Sequence, residues 1–204
     1  MIAVCRIRSC CLLSALAILA AACDSAVAPT SSSLRARDNS ADALGRGGSG
    51  VTLPFKATFH TDLISNVPDP SCGEFPRLLN TQEGWGEATH LGRFSVRITF
   101  CIDATDILDD GQLTEGESLP YDEGQGALVA ANGDSLYITI AGAVLPTEHP
   151  DFEFAFEDPF QVAGGSGRFA GASGEGVTNS LVDFDGVPSR TQHRWSGTLV
   201  LPRE

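Results

Sequence analysis

Positive charge is scarce in this chain of 204 residues: 13 lysines and arginines stand against 26 aspartates and glutamates, for a formal net charge of −13. A surface of that sign repels phosphate backbones and anionic lipid, which argues against nucleic-acid binding and against a basic membrane-binding face. Long apolar runs are lacking too. The stretch from Cys10 to Ala22 is cut off by Cys23 and Asp24, well short of the roughly 20 residues that a transmembrane helix needs. No CxxC pair and no H-E-x-x-H is present, which removes the usual zinc patterns. G-x-S-x-G is absent as well, so a serine-hydrolase reading has no nucleophile elbow to rest on.

What is present begins with an address. Arg6 and Arg8 precede the short apolar stretch, the layout of a secretory signal, so residues 1–22 are expected to leave the fold. The end of that segment, Leu19-Ala20-Ala21-Ala22-Cys23, resembles the lipobox of bacterial lipoproteins. The resemblance implies acyl chains on Cys23 as the mature N-terminus and a membrane-anchored, exported protein. Ala20 stands where that motif usually has leucine, and ordinary cleavage after an A-x-A pattern (Ala20, Ala22) stays open. Residues 23–50 are rich in Ser, Ala, Gly, Asp and Arg without an apolar period, the composition of a flexible tether. A flexible chain of that length reaches about 30 Å. Losing Arg6 and Arg8 takes the net charge from −13 to −15. The folded part is expected over 51–204, a suitable length for one domain.

Cysteine is sparse after the leader. Cys5, Cys10 and Cys11 depart with it and Cys23 is taken by lipid, which leaves Cys72 and Cys101. In an exported protein that pair is expected to form a disulfide. Period-two alternation then dominates. "LPFKATFH" (53–60) sets Leu53, Phe55, Ala57 and Phe59 against Lys56, Thr58 and His60, which places His60 toward solvent. "GRFSVRITFC" (92–101) puts Phe94, Val96, Ile98 and Phe100 on one face and Cys101 on the other. Further strands are read at 85–91, 126–131, 134–144, 152–162, 174–184 and 191–201. Asn132-Gly133 marks a hairpin in which both turn positions would take positive φ. About eight strands with tight turns and no convincing amphipathic helix predict an all-β, antiparallel, closed or nearly closed barrel.

The glycine-dense stretch "GGSGRFAGASGEG" (164–176) contains Gly165-x-Gly167-x-x-Ala170, with Asp185 further on, and so matches a dinucleotide fingerprint. That fingerprint needs a helix after its last small residue, and the continuation carries glycines and strand character instead. Neither a nucleotide nor any other cofactor is expected; a tight barrel corner is, with Arg168-Phe169 as a plug for the adjacent turn. Taken in order, "THLGRFSV" (89–96), "AANGDSLYITIAG" (130–142), "GGSGRFAGASGEG" and "WSGTL" (195–199) resemble bacterial lipoproteins and secreted proteins of the allene oxide cyclase barrel-like group. The group is distantly similar to plant allene oxide cyclases and dirigent proteins. The resemblance covers 53–201 and implies an eight-stranded antiparallel barrel; most bacterial members have no assigned activity, and no functional residue of the plant enzymes carries over.

Candidate chemistry lies in the lumen and in one loop. If Trp85 points inward, period two brings Glu87 and Thr89 with it, and on the last strand His193, Trp195, Leu199 and Leu201 share a face. A carboxylate and an imidazole in an apolar lumen would have shifted pKa values and could serve as acid and base. A bulge in the glycine-rich strand would instead turn Glu87 to water. "DILDDGQLTEGE" (106–117) aligns partly with a calcium loop through Asp106, Asp110, Gly111 and Glu117, although Leu108 takes a ligand position and an acidic, solvated loop explains the same residues. The expectation is a noncatalytic, lipid-tethered envelope barrel that binds a partner or a small apolar ligand. Two alternatives stand beside it: an isomerase- or cyclase-like enzyme using Glu87 and His193 on a hydrophobic substrate, which needs an open lumen of about 300 Å³ or more, and a calcium-stabilised adhesion or assembly module.

Overall fold

A computed structural model describes residues 50–108 and 110–203. The leader, Cys23 and nearly all of the tether lie outside the described residues. The strands are β1 (Val51–Val67), β2 (Arg77–Ala88), β3 (Gly92–Asp103), β4 (Leu119–Ala130), β5 (Ser135–Pro146), β6 (Phe154–Phe156), β7 (Pro159–Ser166), β8 (Ser173–Asp183) and β9 (Arg190–Leu201), with one four-residue helix, α1 (Thr105–Leu108). Every pairing is antiparallel. β1 pairs with both β2 and β9, β4 closes onto β5, and β8 joins β9, so the sheet is a closed barrel. β6 and β7 share one place between β5 and β8, giving eight positions and nine strands.

The strand read at 152–162 is broken at Glu157-Asp158 for a backbone reason. Pro159 has no N–H to give a ladder. Asp158 instead leaves the regular pairing and bonds sideways to Thr178, donating its N–H to Oγ1 (2.9 Å) and accepting the Thr178 N–H at its carbonyl (2.8 Å). The Asn132-Gly133 reversal is present, with a correction to its turn. Only Gly133 takes positive φ (90°), and its N–H donates to the Ala130 carbonyl at 2.9 Å. The connection thus spans 131–134 and avoids a left-handed Asn132.

Period two explains what fills the barrel. Phe55, Phe59, Phe94, Ile98, Leu128, Leu136, Ile138, Phe160, Trp195 and Leu199 are all buried inside. Trp195 stacks on Phe160 (centroids 5.0 Å apart) and meets Phe59 edge-on at 5.0 Å. Such rings fit because glycines face them: a Cβ on Gly176 would run into the Phe160 ring, and one on Gly86 into Phe59. The wall therefore gives up side chains where the aromatics need volume, which is how a narrow barrel reaches core density.

The two ends differ. At one, connections are short and Leu91, Phe169 and Ala172 are buried beneath them. The glycine-dense stretch forms this corner, turning through a three-residue 3-10 segment, Gly167–Phe169, and not through a helix. Phe169 is wholly buried, with the Arg168 guanidinium 5.0 Å from its ring centre and 3.3 Å from Asp134. At the other end the loops 68–76, 104–118, 147–153 and 184–189 are longer. The Cys72–Cys101 disulfide is formed and ties the 68–76 loop over the outer side of β3, so Cys101, outward by period, is buried by that loop.

Candidate functional site

Inside the barrel, Ser180, His193, Thr61 and Gln82 are linked by hydrogen bonds. His193 on β9 is fully buried and stacks on Phe59 with ring centres 4.3 Å apart. Its Nε2 lies 3.0 Å from Thr61 Oγ1 and its Nδ1 2.9 Å from Ser180 Oγ. Thr61 gives its hydroxyl proton to Gln82 Oε1 at 2.5 Å, so Thr61 can only accept from the ring. The chain therefore runs Ser180 O–H to Nδ1, Nε2–H to Thr61, Thr61 O–H to Gln82, and it fixes a neutral imidazole protonated at Nε2. Burial, with the charge of His60 adding to it, pushes the His193 pKa down to about 3. Nearby, the Tyr121 hydroxyl donates to Asp158 Oδ2 at 2.7 Å, and burial together with that carboxylate raises the phenol well above its ordinary range.

Little space remains. The cavity bounded by Gln82, Ile98, Phe100, Tyr121, Ile140, Phe156, His193 and Trp195 has a volume of about 20 Å³, room for a single water. Trp195 Nε1 and Asn80 Oδ1 are the buried side-chain polar atoms without a protein partner among the described residues. A cavity of that size holds no substrate.

The sequence-predicted lumen residues divide across the wall. His193 and Trp195 face inward. Trp85 and Glu87, expected with them, face outward: Trp85 is 61% exposed and Glu87 is exposed beside it. The cause is steric. β2 pairs with β1 in unbroken register from Ala88 to Gln82, and its inward positions there are Gly84 and Gly86, which lie against the β1 backbone and Phe59. No bulge intervenes at Glu87. Glu87 and His193 sit on opposite faces of the sheet and cannot act as an acid–base pair, which removes the isomerase geometry. Thr89 lies in the connection after β2, where its hydroxyl bonds the Pro54 carbonyl and accepts the Lys56 N–H.

The acidic loop is also corrected. Asp106 accepts from Ser118 N–H across the loop, while Asp110 accepts from Gln112 N–H and Glu117 from Thr114 N–H and Oγ–H within their own turns. No group of three or more His, Cys, Asp or Glu side chains that could hold a metal exists among the described residues. Asp106, Asp110 and Glu117 are each engaged by backbone N–H groups of the loop and do not converge on a calcium sphere.

A groove that the sequence reading did not foresee lies on the outer face of β1, β2, β8 and β9, with a volume of about 500 Å³. Trp85 stands at its centre with its ring braced edge-on against half-buried His60, centroids 4.5 Å apart. Arg93, Glu87, Asn179, Gln192 and Arg194 surround it. Strand register places them in two rows. One runs Arg93, Glu87, Thr58, Arg194, Asn179 across β3, β2, β1, β9 and β8; the other runs Ser95, Trp85, His60, Gln192, Leu181. At the rim, Arg190 holds Asp62 with two bonds of 2.6 and 3.2 Å, and this partnership lowers the Asp62 pKa. Arg93 and Arg194 have no ion-pair partner among the described residues, whereas Arg77, Arg97, Arg168 and Arg190 are each paired with a carboxylate. A second outer depression of about 490 Å³ crosses β4, β5 and β7, lined by Glu123, Gln125, Thr139 and Gln161, with neither an aromatic nor a cation. Trp85, Glu87, Arg93, Asn179, Gln192 and Arg194 all sit at outward period-two positions, while inward Phe59, Gly86 and His193 complete the floor. Only the strand order shows that the positions are neighbours.

No family model matches the sequence, and no curated protein matches it. Among solved structures, the pterocarpan synthase dirigent protein GePTS1 is similar at 11% identity with a TM-score of 0.45, over 83% of this chain and 99% of that one. The pterocarpan synthase dirigent protein PsPTS1 is similar at 12% identity with a TM-score of 0.41, over 76% of this chain and 96% of that one.

Proposed function

We propose that this protein is an exported, lipid-tethered, noncatalytic β-barrel that meets its ligand or partner on its outer wall. The observation that carries the reading is the contrast in space: about 20 Å³ inside against about 500 Å³ around Trp85 outside. An exposed indole in a concave polar setting is a common recognition element, because it offers a large rigid face together with an N–H donor. The address rests on the sequence: Cys23 follows a lipobox-like stretch, and residues 23–50 supply a tether long enough to hold the barrel clear of the membrane surface.

Two experiments test the two parts. Replacing Cys23→Ala is expected to move the protein from the membrane fraction to the soluble fraction and to abolish incorporation of labelled fatty acid; unchanged fractionation contradicts the tether. Native mass spectrometry of the purified protein after exposure to an envelope extract is expected to show an adduct that Trp85→Glu removes and Ser180→Ala keeps. The opposite pattern places binding in the lumen and contradicts the outer-wall reading.

A further inference from the structure

The outer groove combines features that narrow the chemistry of its occupant. Its floor is pleated backbone, its centre a braced indole, and its sides carry amides, a carboxylate and two arginines without ion-pair partners among the described residues. An apolar occupant is a poor match, because Arg93, Arg194, Glu87, Asn179 and Gln192 would all lose water without gaining partners. A short chain of rings that are apolar on their faces and bear hydroxyls on their edges is a good one: one ring stacks on Trp85 beside Glu87, and its neighbours carry hydroxyls toward Gln192 and Asn179, two and three strands away.

Charge narrows the choice further. Arg93 and Arg194 stand out in a chain where acidic residues outnumber basic ones 26 to 13: among the described residues four arginines are matched with carboxylates, and of the three that are not, these two line the groove. Arg93 and Arg194 are separated by β2 and β1, three strand spacings or about 14 Å. That span suits a chain of several rings with carboxylates at intervals. The guanidinium fork favours carboxylate by geometry as well as by charge. The acidic remainder of the surface disfavours a long polyanion and admits a short one. Building on the outer-wall reading, we infer that the groove around Trp85 binds a short anionic oligosaccharide, with Trp85 as stacking platform and Arg93 and Arg194 as carboxylate anchors.

The test titrates the purified protein with trigalacturonate and, separately, with the neutral cellotriose, by calorimetry and by tryptophan fluorescence. Trigalacturonate is expected to bind and to perturb Trp85 emission, with cellotriose about tenfold weaker or more. Arg93→Gln and Arg194→Gln are each expected to weaken trigalacturonate binding by about tenfold and to reduce its salt dependence. Trp85→Phe is expected to bind with the fluorescence response gone, and Trp85→Ala to lose binding. All three side chains are at the outer surface, and an unchanged melting temperature shows that the four variants are folded. Equal affinity for the two sugars, or arginine variants that bind like the parent protein, overturns the anionic assignment while the outer-wall reading stands. Failure of both sugars to bind overturns the saccharide assignment. Binding undiminished in Trp85→Ala overturns this site, and with it the outer-wall reading.

Discussion

Trp195 and Trp85 sit on opposite faces of one barrel wall, and their surroundings are built on different rules. Around Trp195 every large ring has a glycine or another ring against it, and the polar groups nearby, Ser180, His193, Thr61 and Gln82, form one closed chain of hydrogen bonds. Around Trp85 the indole is braced edge-on by His60, and two of the three arginines lining the groove, Arg93 and Arg194, have no ion-pair partner among the described residues. Trp195 Nε1 and Asn80 Oδ1 are left without a protein partner among the described residues, but the cavity beside Trp195, about 20 Å³, has room only for a water. An exterior with donors still facing water has room for a ligand. The buried histidine, which the sequence offers as a catalytic candidate, therefore belongs to the architecture, and the recognition proposed above belongs to the other surface.

This contrast can be broken from the inside first. Trp195→Ala removes the ring that Phe59 and Phe160 pack against and is expected to cost about 3–5 kcal/mol in chemical denaturation; a loss below 1 kcal/mol would mean that the interior is looser than its glycine-and-ring packing implies. Removing the disulfide with Cys72→Ser and Cys101→Ser frees a loop of 29 residues and is expected to cost about 3.5 kcal/mol in the chain-entropy model. Melting temperature with and without reductant checks it.

The acid limb sharpens the comparison. The folded state keeps His193 neutral down to about pH 3, while the unfolded chain takes up its proton near pH 6.5. Between those values the unfolded state binds more protons, so this contribution to stability is complete above pH 6.5 and is lost as pH falls through the window. The slope approaches about 1.4 kcal/mol per pH unit. Denaturant midpoints from pH 7 to 4 are expected to fall more steeply for the parent than for His193→Gln; parallel curves would contradict a neutral buried imidazole. The smallest effect is outside: Trp85→Ala is expected to change stability by no more than about 0.5 kcal/mol, as exposed positions do.

Much of this architecture is readable before any coordinates, and the failures have physical causes. Alternation in 53–60 and 92–101 locates β1 and β3 because one face of each is apolar and the other polar. The first half of β2, "RLLNTQEG", and the start of β4, "LPYDEG", escape notice because polar Asn80 and Gln82 face inward and a bulge breaks the β4 pairing between Tyr121 and Gly124. Trp85 is misplaced by its own hydrophobicity: the inward positions beside it are glycines, which carry no apolar signal and whose emptiness is filled from β1 by Phe59. Arg93, Asn179 and Arg194 are far apart in sequence and meet only because β9 returns beside β1. Nothing short of strand order brings them together.

The two tryptophans also supply the most direct measurement. A ¹H–¹⁵N spectrum of the protein labelled at its two indole nitrogens, recorded with trigalacturonate and with an eighteen-carbon fatty acid, reads both surfaces at once. The account predicts that trigalacturonate shifts the Trp85 indole resonance, and that the fatty acid leaves the Trp195 resonance in place and slow to exchange with solvent. A Trp195 resonance that moves with the fatty acid, while Trp85 ignores the sugar, would put recognition in the lumen and contradict the account.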